Sequence, residues 1–175
     1  MPSPVGHALG GLTAAFVIKA FSRRPGLTMG LLRAAAVMAV ARDLDILAKS
    51  HRTYTHSVGG VAVVGLASWL ILRGRSTSTA GAAAVTAAYA SHLALDWLSK
   101  DTSLPSGLML LWPFTSRYYK SGLDVFGQVS RRYWLPGEFI VGNLKAAAWE
   151  ITLVGPLLLV AWVLWSANTV KNGAR

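Results

Sequence analysis

A chain of 175 residues has room for one compact domain and no evident second one. Apolar residues make up 53% of it and charged residues 14%, with a mean hydropathy of +0.45; this excludes an ordinary soluble composition and points to a membrane-embedded protein. The lack of cysteine excludes disulfides, thiolate metal sites and cysteine nucleophiles, while 17 basic against 7 acidic residues give a charge of +10, suited to anionic lipid or to nucleic acid.

Five apolar segments follow in chain order, at about residues 5–21, 27–41, 57–72, 80–98 and 149–167. The N-terminal "MPSPVGHALGG" has no basic leader and no cleavage pattern after its apolar run, so the chain is expected to be mature. The first two segments are short for full spans and carry Lys19 and Arg33, which predicts a shallow or tilted hairpin. Gly and Ala recur in segments one, three and four and suit close helix packing in lipid. The fifth, "EITLVGPLLLVAWVLW", is the strongest span, and its Pro156 is tolerable if neighbouring groups satisfy the freed backbone. Residues 99–148 set Trp112, Phe114, Tyr118, Tyr119, Tyr133 and Trp134 among basic residues, the composition of a long interfacial loop. The expected fold is an all-α polytopic membrane protein of four to five membrane-embedded helices forming one domain over 1–175, with a metal site at one membrane face. Its basic residues are scattered through short loops without a stripe or recognition helix, so lipid is favoured over nucleic acid as partner.

Alternating the helices across the bilayer sorts the chemistry. His7, the 42–56 loop, His92, Asp96, the long loop and Glu150 fall on one face. The other receives Arg23, Arg24, Arg73, Arg75, Lys171 and Arg175 and no acid, which favours it as the cytoplasmic side.

In "SHLALD", His92 and Asp96 are four apart in a helical run, so both project from one face and can grip one cation. An ionisable residue inside a membrane segment is costly and is by default functional, although a His–Asp hydrogen bond within a bundle satisfies both groups equally well. "RDLD" supplies Asp43 and Asp45, either as ligands or as a solvated loop with a capping aspartate. "HRTYTHS" places His51 in a loop and His56 at the mouth of segment three, where Thr55 or Ser57 can cap the helix. Arg52 offers a bidentate fork to a phosphate or, equally, anchors at the interface. Imidazoles with carboxylates suit Zn, Mn or Fe, one or two ions, and such an ion activates water for hydrolysis without a protein nucleophile. No P-loop, "GxSxG" or H-E-x-x-H is present.

The order "GH", "DLD", "HRTYTHS", "SHLALD" and "GLMLLWPF", over about residues 6 to 120, resembles the membrane-bound metal-dependent hydrolases described as LexA-binding and inner-membrane-associated. Members commonly read "PDxD" and, after a longer insertion, "HRGxTHS"; here Arg42 replaces the proline and five residues separate Asp45 from His51. That family is in turn similar to zinc-dependent phospholipases C. The resemblance implies His7, Asp45, His56, His92 and Asp96 as metal ligands, and no histidine follows His92, so two ions at most are expected.

The function expected is a multi-pass, inner-membrane, metal-dependent hydrolase of a phosphoester or phospholipid-like amphiphile. Asp43, Asp45 and His51 are its catalytic candidates and Arg52 its substrate-binding one. The alternative is a non-enzymatic ion or proton carrier that relays charge through His92 and Asp96.

Overall fold

The computed structural model describes residues 1–22, 28–41, 52–75 and 78–173. Five α-helices carry them: α1 (Pro4–Ala20), α2 (Met29–Val40), α3 (Val58–Leu72), α4 (Ser78–Trp97) and α5 (Pro136–Gly173), with a 3₁₀ turn at Tyr54–His56. Among the described residues there is no strand, only isolated bridges pairing Ser99 with Phe126 and Leu108 with Tyr119.

The helix starts follow local chemistry. Ser3, Thr28 and Ser57 each turn a hydroxyl onto a first-turn N–H of α1, α2 and α3, and Pro4 sits where a missing N–H costs nothing. Of the two capping candidates before α3, Ser57 takes the role, accepting from Gly60 N at 3.0 Å.

Helix directions are set by contacts between small residues. α1 lies at the centre, packed on α2, α4 and α5, and α4 also packs on α2 and α3. A Cβ on Gly11 would stand 2.4 Å from the Ala39 Cβ and 3.1 Å from the Ala35 carbonyl, so only glycine lets α2 come this close. Ala15, Ala35, Ala84 and Ala88 then form an almost side-chain-free core among α1, α2 and α4. Ser3 meets Glu150 at one end of α1 and Ala20 meets Asn168 at the other, so α5 runs parallel to α1. The starts of α1 and α3 and the ends of α2 and α4 therefore meet at one end of the bundle.

Large apolar side chains are left bare on α3 and α5, among them Val63, Leu66 and Ile71, then Leu157, Val160 and Val163. Exposed apolar faces of this extent mark contact with lipid or another protein. Among the described residues only α5 is long and apolar enough to cross a membrane, whereas four to five embedded helices were expected. α2 has 12 residues and α3 has 15, against the roughly 20 a full span needs.

α5 also departs from expectation by starting at Pro136, so residues 136–148 are helix where loop was expected. The reason is a start signal independent of hydropathy: Pro136 at the first helical position and Glu138 in the first turn, next to the positive helix end. The helix continues through Pro156, and Asn143 fastens its extension by pairing with both the N–H and the carbonyl of Ser130.

Candidate metal centre

Four side chains from three elements close on one point at the end of the bundle. α1 brings His7, the 3₁₀ turn brings His56 and α4 brings His92 and Asp96; the histidines are 0% exposed and Asp96 is 5%. The Asp96 carboxylate lies 3.5 Å from His7 Nε2, 3.3 Å from His56 Nε2 and 3.0 Å from His92 Nε2. The His56 and His92 Nε2 atoms are 3.2 Å apart, and the His7 and His92 rings stack with centroids 3.6 Å apart.

Protonation follows from the partners. His92 Nδ1 faces the Ala39 carbonyl at 2.5 Å, and a carbonyl only accepts, so Nδ1 carries the hydrogen. The Nε2 of a neutral His92 then carries a lone pair that can accept from His56 Nε2 at 3.2 Å or, together with the Asp96 carboxylate at 3.0 Å, face a shared cation. Neither ring nitrogen of His7 and neither oxygen of Asp96 makes a well-aligned hydrogen bond among the described residues, although the imidazoles stand within ion-pair distance of the carboxylate. Buried polar atoms left in this way are rare and demand a cause.

A divalent ion fits that demand. Ligand atoms held tetrahedrally at zinc distances stand about 3.3 Å from one another; the three imidazole-to-Asp96 spacings, one to Oδ1 and two to Oδ2, and the His56–His92 spacing run from 3.0 to 3.5 Å. His92 also has the outer partner typical of a metal-bound imidazole, a backbone carbonyl that fixes its tautomer and aim. One ligand atom from each of His7, His92 and Asp96 lies within 4.8 Å of the other two.

The wall bearing His56 is fixed from the long loop. The carbonyls of Leu110 and Trp112 accept from Val58 N and Gly59 N, both at 2.9 Å, covering donors that the first turn of α3 cannot satisfy. A Cβ on Gly59 would stand 2.5 Å from the Trp112 ring, so "GLMLLWPF" lies directly on the histidine segment.

Arg52, 6% exposed, turns inward: Nη1 donates to Asp101 Oδ2 at 2.5 Å and Nη2 to Ser103 Oγ at 2.9 Å. Its φ of +66° is a left-handed backbone, and its carbonyl accepts from Met109 N. The guanidinium thus ties the histidine segment to the loop. Burial pushes the Asp101 carboxyl up, but N–H groups of Gly107 and Ser103 and the Arg52 guanidinium outweigh it and hold it below the usual carboxylate range. A depressed folded value stabilises fully above the unfolded one of about 3.9 and is lost as pH falls through the folded value. Asp101→Asn is therefore expected to cost on the order of 2 kcal/mol at neutral pH. Its melting temperature should also fall less than the wild type's between pH 7 and pH 3.

Of the site residues inferred from sequence, the structure gathers His7, His56, His92 and Asp96 and commits Arg52 to Asp101. Asp43, Asp45 and His51 lie outside the described residues. Of the four carboxylates without a role in the sequence reading, Asp101 and Glu150 are held by partners of their own. Asp101 was signalled by "DTS", where its Oδ1 accepts from Ser103 N two residues on. Glu150, 0% exposed, was signalled by being an acid at the start of an apolar run.

The described residues form an all-helical bundle with bare apolar faces, one helix long enough to span a membrane and a buried His₃Asp cluster at one end. The chain belongs to the family described as YdjM inner membrane protein, whose model matches residues 1–173, and its location is the inner membrane. No curated protein and no solved structure matches it.

Proposed function

We propose that the protein is a multi-pass inner-membrane hydrolase that uses a divalent metal, zinc by the chemistry of its donors, on a phosphoester bond of an amphiphilic substrate. The observation that carries this reading is His92: its Nδ1 is committed to Ala39 O, and its Nε2 points at the Asp96 carboxylate 3.0 Å away. His7, His56, His92 and Asp96 hold the ion. A bound divalent ion supplies a Lewis acid for the phosphoryl oxygen and activates water near neutral pH.

The chain's own groups do the rest. The Ala39 carbonyl holds His92 in one tautomer, and the Arg52–Asp101 tie keeps the segment of His56 in place. Asp45 as a further ligand, and Asp43 and His51 as proton-transfer groups, enter the proposal on sequence order alone. Several membrane-embedded helices are supported by the bare faces of α3 and α5 and by the placement of the polar cluster at one end. α5, about 57 Å long at 1.5 Å per residue, exceeds the hydrocarbon thickness, so its first turns extend beyond the bilayer beside the loop.

The test is metal content and turnover of phosphodiesters and phospholipids in mixed micelles, for wild type and His7→Ala. The expected result is stoichiometric zinc and metal-dependent turnover in the wild type, with turnover down about a hundredfold or more in the variant, since even outer-partner losses cost 10–100-fold. Stoichiometric metal without turnover, together with metal- or pH-driven flux in liposomes, would establish the carrier reading instead.

A further inference from the structure

A cavity of about 740 Å³ opens between α2 and α3, with α4 contributing Gly81 and Val85 to its lining. Its α2 wall runs from Thr28 to Met38, which at 1.5 Å per residue is about 15 Å. The lining is aliphatic apart from Thr28 and Ser68, and Arg75 stands at the end farthest from the histidines. Arg75 is exposed in the turn after α3, and among the described residues no carboxylate pairs with it. In sequence, residues 21–33 and 69–81 contain Arg23, Arg24, Arg33, Arg73 and Arg75 and no Asp or Glu.

We propose that this cavity holds one acyl chain of an anionic phospholipid, with its head-group phosphate on Arg75. The volume lies within the range of ligand pockets, and the elongated apolar lining suits a chain better than a compact molecule. Within a bilayer an aliphatic wall gains little from a lipid tail, because neighbouring tails are equally apolar. Selectivity therefore falls to the head group. A guanidinium offers a phosphate two parallel donors, and its single positive charge, which no carboxylate pairs among the described residues, favours a net negative lipid over a zwitterionic one. One basic residue near a membrane surface gives about a five-fold preference. The cavity stops at Met38, one residue before the Ala39 carbonyl that holds His92, so the inference depends on neither metal nor hydrolysis.

The experiment uses the full chain, stripped of metal and equilibrated with detergent micelles containing equal amounts of phosphatidylglycerol and phosphatidylcholine. Native mass spectrometry then counts retained lipid. The expected wild-type result is a monomer keeping one lipid, with about a five-fold preference for phosphatidylglycerol. Arg75→Ser, an exposed position that leaves packing intact, should bring the preference to about one. Ala67→Trp should fill the cavity and abolish retention, whereas Leu66→Trp on the neighbouring bare surface should not. Equal retention of the two lipids by the wild type, or an unchanged preference in Arg75→Ser, overturns the proposal. So does full retention by a folded Ala67→Trp, or a lipid-free dimer. Should Ala67→Trp not fold, the Arg75→Ser ratio alone decides.

Discussion

Replacing Asp96 by asparagine is expected to abolish metal retention while leaving the metal-free protein at least as stable as the wild type. Without a cation, the wild-type carboxylate is 5% exposed and faces three imidazole nitrogens at 3.0–3.5 Å. Its charge is then buried among imidazoles of which His92 presents a lone pair on Nε2, so the desolvation of the carboxylate weighs against the metal-free fold. Asparagine keeps the shape, removes the charge and can donate to that lone pair. Metal affinity should fall more than about a hundredfold, beyond the cost of losing an outer partner. At a hundred times the dissociation constant a ligand stabilises by about 2.7 kcal/mol, so saturating zinc should raise the wild-type melting temperature by roughly 5–10 °C and leave Asp96→Asn unmoved. If His92 and Asp96 were only a structural hydrogen bond, the order would reverse: zinc would move neither protein, and the substitution would destabilise both preparations. Thermal melts with and without zinc, beside metal content, separate the two.

The gathering of His7, His56, His92 and Asp96 was legible because it needs only helix direction. Residues at the starts of odd helices and the ends of even ones share an end, whatever the packing. α1 to α4 were likewise legible, since an apolar run bounded by Ser, Thr, Gly and Arg marks a helix by composition alone. α5 was only half legible: "PGEFIVGNLKAAA" is too mixed for a hydropathy reading, and its Pro and Glu start signals were read as loop. The Arg52–Asp101 tie, across 49 residues, was not legible at all. Nothing in "HRTYTHS" distinguishes an arginine aimed at a substrate from one aimed at a loop. That choice rests on the packing that brings Asp101 to the Arg52 guanidinium, which is a tertiary fact.

Glu150→Ala should be the most destabilising single substitution outside the metal cluster. The carboxylate, 0% exposed, accepts from Ser3 N at 2.7 Å, from Gly6 N at 3.1 Å and from the Ser3 hydroxyl. These are the donors that the first turn of α1 cannot satisfy, and the acceptor is an acid on a parallel helix placed at the positive end of the α1 dipole. Alanine leaves them without it in an apolar interior at about 1–3 kcal/mol each. The Ser3 hydroxyl recovers part of this, since it already accepts from Gly6 N at 3.3 Å. A net cost on the order of 3 kcal/mol follows, or roughly 6–12 °C of melting temperature. Glu150→Gln keeps one oxygen acceptor and should lose about half as much. Gly6→Ala should imitate Glu150→Ala, because its Cβ would stand 2.6 Å from Glu150 Oε2 and drive the carboxylate off the helix end. His7 follows Gly6 directly, so both substitutions should weaken zinc affinity by shifting His7 while leaving the stoichiometry at saturation unchanged. A fall in stoichiometry with Glu150→Ala but not with Gly6→Ala would make Glu150 a ligand and refute its assignment as the clasp between α5 and α1.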